Sequence, residues 1–467
     1  MIFSSMVFLW VFLPAVIFIY FLLRIEYRNL FLLLASLIFY AWGEPCYILL
    51  MLVSIGINYT CGLLVDRAEG TMRKLMAALD IVLNLLLLGY FKYANFLVDS
   101  INCLNPGTIR DFARIALPIG ISFYTFQAMS YVIDVYRKDC PVQKNPLMEG
   151  LYITCFPQLI AGPIVKYHDV SQQLENRNCS LHDFAVGIRR FVFGLAKKVL
   201  IANPLAAAAD QIFGLAPSGL GTSIAWLGAV CYTFQIYYDF SGYSDMAIGL
   251  GRMFGFRFPE NFNYPYLSRS IKEFWTRWHI SLSTWFKEYL YIPLGGNRCG
   301  SARTCLNLII VFLVTGIWHG AAWTFVFWGI YHGAFILAER VFLKKYLDRP
   351  GWAFISHCYA LLAVICGWVF FRAETLRQGL YYLRVMFVPK ESPYHAGVFM
   401  NPPVLTVLFF ALLFCGLLQR WVPRLKNALY DDDRIGAWEV LLLPVLLFCC
   451  IVCLAANTYN PFIYFRF

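Results

Sequence analysis

Charge is what this sequence has least of. Of its 467 residues only 14% are Asp, Glu, Lys or Arg, while 60% are hydrophobic; a soluble chain carries about a quarter charged residues. That scarcity excludes a soluble globular fold. No charge precedes Arg24, so the cationic start of a cleaved signal peptide is missing, and Met1–Leu23 reads as a retained first helix. No His/Cys group has metal-ligand spacing. The 15 cysteines lie mostly in apolar runs, Cys450 and Cys453 included, and read as small apolar fillers, so no metal is expected. Polar stretches are too short for a soluble domain, and residues 1–467 are read as one integral-membrane domain with a short tail at 458–467.

Uncharged runs fill the space that charge leaves. Met1–Leu23, Leu30–Trp42, Tyr47–Val65, Trp352–Phe371, Pro402–Leu418 and Val440–Asn457 are free of Asp, Glu, Lys and Arg. Several reach the roughly 17–25 residues that a spanning helix needs. The expected class is an all-α polytopic membrane protein, with about ten to twelve spanning or partly spanning segments by hydrophobic length. Arg24 and Arg28 place the first loop in the cytoplasm, and Arg67, Arg73 and Lys74 recur after the fold-back at "WGEP". The net charge of +11 is scattered over short loops. It fits basic loops beside anionic lipid and gives no reason to expect nucleic acid.

Some segments are unsuited to ordinary crossings. Leu151–Val165, "LYITCFPQLIAGPIV", carries two prolines and a glycine and is expected to be broken or re-entrant. Phe184–Ala209 holds Arg189, Arg190, Lys197 and Lys198 among apolar residues. Those cations are expected to snorkel from an interfacial helix, the alternative being a helix that guides a phosphate-bearing cofactor. In Tyr237–Gly251, Asp239, Ser241 and Asp245 sit among aromatics. Buried carboxylates need partners, and an ion-pair network with downstream arginines is expected.

Arg269–Arg303 is a polar island. Trp275, Trp278, Leu282 and Trp285 share one helical stripe, and Lys272, Thr276, His279 and Ser283 a neighbouring one. The pattern reads as an amphipathic helix, aromatic on one side, with His279 on the other. Beyond it come two near-identical pentapeptides, "GIWHG" at 316–320 and "GIYHG" at 329–333. Both outer flanks are cationic: Arg298 and Arg303 before, Arg340, Lys344 and Lys345 after. A hairpin turning near Gly316–Gly320 keeps both flanks on one side and sets His319 deep, where an ionisable group is a functional candidate. His332, nearer the cations, reads as interfacial.

"DFSGYSDMAIGLGRMFGFRFPENFNYPYLSRSIKEFWTRWHISLSTWFKEYLYIPLGG", followed by "VTGIWHGAAWTFVFWGIYHG", resembles the membrane-bound O-acyltransferase (MBOAT) superfamily. The similarity is to its bacterial alginate O-acetylation branch, which "FPQLIAGPIVKY" and "LFLLLASLIFYAWGEP" also fit. The resemblance implies a ring of helices around a central tunnel, an essential histidine at His319 and a second at His279. The ending "NPFIYFRF" matches the Phe-x-Tyr-x-x-Phe ending of acyl-export members and implies that Tyr464 carries the acyl group in transit. Read from composition alone, that tail is an aromatic interfacial anchor.

The chemistry asks for little. A thioester such as acetyl-CoA is already activated, and an imidazole of ordinary pKa can take the acceptor's proton and return it to the thiolate. His319 is expected as general base and acid, with His279 orienting substrate or stabilising developing charge. Lys272, Arg277 and Arg298 are candidates to hold the donor, and an extracytoplasmic serine-esterase-like transferase would pass the acyl group to a polysaccharide. D-alanyl transfer to teichoic acid is the alternative within the family. A small-molecule transporter is the alternative outside it, although the sequence has no pair of matching halves.

Overall fold

The computed structural model describes residues 1–110, 112–422, 436–456 and 459–462. Among the described residues the chain is helical and has no β-strand; the one β-bridge joins Phe262 and Trp278. Among the described residues eight helices are long and apolar enough to cross a membrane: Ile48–Arg67, Gly70–Leu104, Leu181–Phe213, Gly300–His319, Trp323–Leu347, Ala353–Arg372, Pro402–Trp421 and Ala437–Ala456. Phe8–Leu22 is a shorter apolar helix. The chain is a multi-pass helical membrane protein.

It divides into two units. The first comprises Met1–Ile188 and Met246–Pro259. Its core is aromatic: Phe8, Phe12, Phe39 and Phe156 pack ring on ring. The proline-bearing segment breaks as expected. Asn145 caps Pro146–Thr154 by accepting from the Leu147 amide at 2.9 Å. The helix stops at Cys155 and restarts as Phe156–Leu159, with Pro157 in its first turn. The Phe156 amide freed by the break donates to Ser36 Oγ at 3.0 Å. Buried irregular backbone is thus satisfied by protein.

The second unit comprises Arg189–Asp245 and Glu260–Phe467. Here the cations of Leu181–Phe213 do not snorkel. Lys198 is buried and pairs with Asp239 at 2.7 Å, and Lys197 pairs with Asp245 at 2.6 Å. Arg190 reaches the same Asp245 at 2.7 Å, and buried Arg189 meets Glu439 at 3.4 Å. The expected ion-pair network exists, but its partners lie on Leu181–Phe213 and not in the polar island. Gly242 explains why: a Cβ there would stand 2.7 Å from the Gly194 carbonyl, so only glycine lets Thr222–Met253 come this close. Once the two backbones touch, acid and base face each other.

The hairpin is present. Gly300–His319 and Trp323–Ala338 are its two legs, joined by Gly320–Ala322. The first glycines of the two pentapeptides meet at the crossing. A Cβ on Gly316 would lie 2.4 Å from the Phe325 carbonyl oxygen and 3.0 Å from the Gly329 Cα; one on Gly329 would lie 2.4 Å from the Phe312 carbonyl. The repeated motif is therefore a packing device, small residues letting two membrane helices approach backbone to backbone.

Candidate functional site

His319 is the last residue of the first leg, at the hairpin's turn. It is 5% exposed and set in an aromatic box: Trp318 at 5.0 Å, Trp328 at 5.1 Å and Phe371 at 5.3 Å between ring centroids. The Trp328 and Phe371 rings meet it nearly edge to face, at 88° and 75°.

His279 comes from another element, yet its ring lies 6.4 Å from that of His319. The amphipathic segment is not one continuous helix. It breaks into Ile271–Arg277 and Ile280–Phe286, and His279 occupies the gap with φ 47° and ψ 55°. A non-glycine residue is strained in that left-handed region and stays there only when its surroundings over-determine it. Residues 261–263 do so. The Asn263 amide donates to the Arg277 carbonyl at 2.9 Å, the Ile280 amide to the Asn261 carbonyl at 3.0 Å, and Phe262 bridges Trp278. The Asn261 side chain then bonds His279 Nδ1 at 3.1 Å. Its Oδ1 also accepts from the Ser281 amide at 3.3 Å and hydroxyl at 2.9 Å, and its Nδ2 donates to Ser244 Oγ at 3.0 Å. Because Oδ1 only accepts, the Nδ1 proton of His279 is fixed and its Nε2 lone pair is defined. Phe240 packs edge-on against the ring at 4.7 Å. Burial pushes the His279 imidazole down to about 3, so it works as a neutral group.

His332 is not interfacial. It is fully buried, and among the described residues neither ring nitrogen has a hydrogen-bond partner. Trp328 stands between the two pentapeptide histidines, 5.1 Å from His319 and 4.9 Å from His332. The imidazoles are neighbours across one indole.

A cavity of about 890 Å³ opens between the broken helix and the hairpin. Lys272, Lys287, Arg340 and Lys344 outnumber Glu339 and Asp348 in its lining, which is therefore net cationic; Ser283 and Asn297 add hydrogen-bonding groups, and Trp275 and Phe312 apolar surface. Trp275 is also the ring against His332 and Trp328, at 5.3 and 5.5 Å. The cavity therefore backs directly onto the aromatic box.

Of the residues singled out in the sequence, His319 and His279 come together and Lys272 lines the cavity. Arg277 is paired with Glu273 at 2.9 Å and donates to the Asn263 carbonyl at 3.1 Å. Arg298 is exposed and does not line the cavity. Tyr464 lies outside the described residues. Asn261 and Trp328 carry no signal in the sequence; the first shows no pattern in "PENFNYP", and the second is one tryptophan among 13.

Residues 137–347 match the family model of MBOAT, the membrane-bound O-acyltransferase family. The chain is 49% identical to a "Probable alginate O-acetylase" of Azotobacter vinelandii, over 80% of this chain and 76% of that one. It is 43% identical to the protein of the same name in Pseudomonas putida, over 100% of both chains. It is 33% identical to the peptidoglycan O-acetyltransferase of Helicobacter pylori, over 100% of this chain and 98% of that one.

Proposed function

The chain belongs to the membrane-bound O-acyltransferase family and is a membrane O-acyltransferase, and from that premise we propose that it takes acetyl from acetyl-CoA on the cytoplasmic side and passes it outward for O-acetylation of a cell-envelope polysaccharide. One observation carries the reading: two imidazoles from separate elements held 6.4 Å apart, beside a cavity with a net cationic lining.

The cavity suits the donor. The phosphates of acetyl-CoA find Lys272, Lys287, Arg340 and Lys344 in its lining, and the pantetheine arm finds Trp275, the ring that packs on Trp328 of the aromatic box. The acceptor is the phenol of Tyr464, whose pKa near 10 makes it easier to activate than an alcohol and its ester a better onward donor. His319 takes the phenolic proton as the oxygen attacks the thioester carbonyl. The C–S bond breaks, and the same proton goes to the departing thiolate. The products are acetyl-Tyr464 and CoA thiol. Neutral His279 orients the reacting groups. An extracytoplasmic serine-esterase-like transferase then moves the acetyl group to a polysaccharide hydroxyl. Acetyl is preferred to D-alanyl because relatives matched along their full length are named for O-acetylation.

Purified full-length protein incubated with labelled acetyl-CoA tests the reading. Label should appear on Tyr464 and be lost in His319→Ala. Normal polymer acetylation in Tyr464→Phe would remove the relay.

A further inference from the structure

Three consecutive residues near the C-terminus meet one helix in descending order. Tyr459 Oη donates to Asp210 at 2.6 Å, the Asn460 side-chain Oδ1 accepts from Asn203 Nδ2 at 3.1 Å, and the Pro461 backbone carbonyl accepts from Lys198 Nζ. Asp210, Asn203 and Lys198 all belong to the span Leu181–Phe213. The tail therefore runs back along that span, from near its end toward its middle. Two of the three contacts are themselves anchored: Arg372 holds Asp210 at 2.7 Å, and Asp239 holds Lys198 at 2.7 Å. Phe462 follows, 5% exposed, its ring 4.8 Å from that of Tyr243 and 5.9 Å from Lys198 Nζ.

An unanchored aromatic tail belongs at the membrane interface. At mid-span depth polar groups need partners, and the Tyr459 hydroxyl, the Asn460 side chain and the Pro461 carbonyl have them. Pro461 brings a carbonyl and no N–H, so the single donor from Lys198 meets its need. The landing point is informative as well. Tyr243 lies one turn along its helix from Phe240, the ring against His279, and residues so spaced are neighbours on one helix face. Tyr464 is two residues beyond Phe462, a tether of about 7 Å at most.

We propose that Asp210, Asn203 and the Lys198–Asp239 pair form a docking groove for the chain's own C-terminal segment, and that Lys198 is a positioning residue that brings the acyl-accepting tyrosine to the histidines. The inference rests on the reading of Tyr464 as acyl carrier, and it assigns to the buried ion pair a task that ion pairing alone does not require.

The test uses the full-length protein in detergent, with labelling of Tyr464 followed against acetyl-CoA concentration. Lys198→Met and, on the tail side, Phe462→Ala should cut the labelling rate about tenfold to hundredfold. KM for acetyl-CoA should stay unchanged, because the donor cavity is elsewhere, and Lys198→Arg should restore most of the rate. Phe462→Ala serves where Lys198→Met does not fold. Wild-type labelling rates in either folded variant, or a KM that moves in step with kcat, overturn the proposal. Docking is read separately by mass mapping of an Asn203→Cys/Asn460→Cys protein after mild oxidation. A cross-link between these two positions is expected, and its absence overturns the groove. If wild type never labels at Tyr464 but the cross-link forms, the carrier reading fails and the groove stands.

Discussion

Asn261 holds His279 through a 3.1 Å bond to Nδ1 while its own backbone carbonyl receives the Ile280 amide. One residue thus fixes the tautomer of the histidine and the strained backbone that presents it. Removing the side chain leaves the Ser281 hydroxyl and amide and a buried imidazole N–H short of an acceptor. Asn261→Ala should therefore cost about 1–3 kcal/mol of stability. It should also slow acetyl transfer by about tenfold to hundredfold, with kcat falling more than KM for the donor rises. Steady-state kinetics beside a thermal melt separates the two effects. Unchanged kcat in a folded variant would remove His279 from the reaction.

The crossing of Gly316 and Gly329 tolerates no side chain. In each case an added methyl would sit 2.4 Å from a backbone carbonyl oxygen, which cannot swing aside as a side chain can. Gly316→Ala or Gly329→Ala should destabilise by about 1–3 kcal/mol or more. Because the two share one contact, the double variant should cost less than the two single costs added. Melting temperatures of the three variants check this. Simple additivity would mean that the legs move apart independently.

His319 and His332 make a controlled pair, being neighbours of the same indole within one hairpin. His319→Ala should lower acetyl transfer by about 10²–10⁴-fold, the usual worth of a general base. His332 keeps two buried nitrogens among aromatic rings without a hydrogen-bond partner among the described residues, so replacing both by carbon removes an unmet need. His332→Leu should melt no lower than wild type and keep activity within about tenfold. Loss of activity equal to that of His319→Ala would make it a second reacting imidazole.

Lys272 and Lys287 stand on the cavity wall and point to a charge-driven donor contact. Lys272→Met and Lys287→Met should each raise KM for acetyl-CoA several-fold, with kcat little changed, since phosphate contacts are made equally in ground and transition states. The wild-type KM should rise with salt, and the double variant should lose most of that dependence. Insensitivity to salt would move donor binding away from this cavity.

Much of the plan is written along the chain in one dimension. Hydrophobic length and the side on which Lys and Arg fall are local properties, so the membrane class and the hairpin ending at His319 could be read directly. What depends on a second element could not. The apolar period runs unbroken through Trp278 and His279, and the break comes from residues 261–263 bonding the backbone there. Asp239 and Asp245 visibly needed cations, but Lys197, Lys198 and Arg190 became their partners only because Gly242 lets two helices touch. His332 lies near the flanking cations along the chain, which reads as interfacial, whereas the indoles of Trp275 and Trp328 bury it.

His168 gives the protein an alkaline limit. Its Nδ1 lies 2.8 Å from Asp134 Oδ2 and its Nε2 3.2 Å from Asp169 Oδ1. The hydrogen bond to Asp134, followed by that to Asp169, raises its imidazole from 6.5 to about 10. The folded state thus binds this proton more tightly than the unfolded chain does. The stabilisation is fully present below about pH 6.5 and is lost as pH rises through about 10, when buried Asp134 loses its cation. His279 acts on the other side. Its imidazole is pushed down to about 3, so it weakens the fold only as pH falls below about 6.5. The two windows do not overlap, so an alkaline scan separates His168 from His279, and the variant separates it from other groups. In detergent, the wild-type melting temperature should fall between pH 7 and 10. His168→Gln should start lower at pH 7 and decline less over that interval. Parallel curves for the two proteins would show that the loss of stability at high pH comes from other groups.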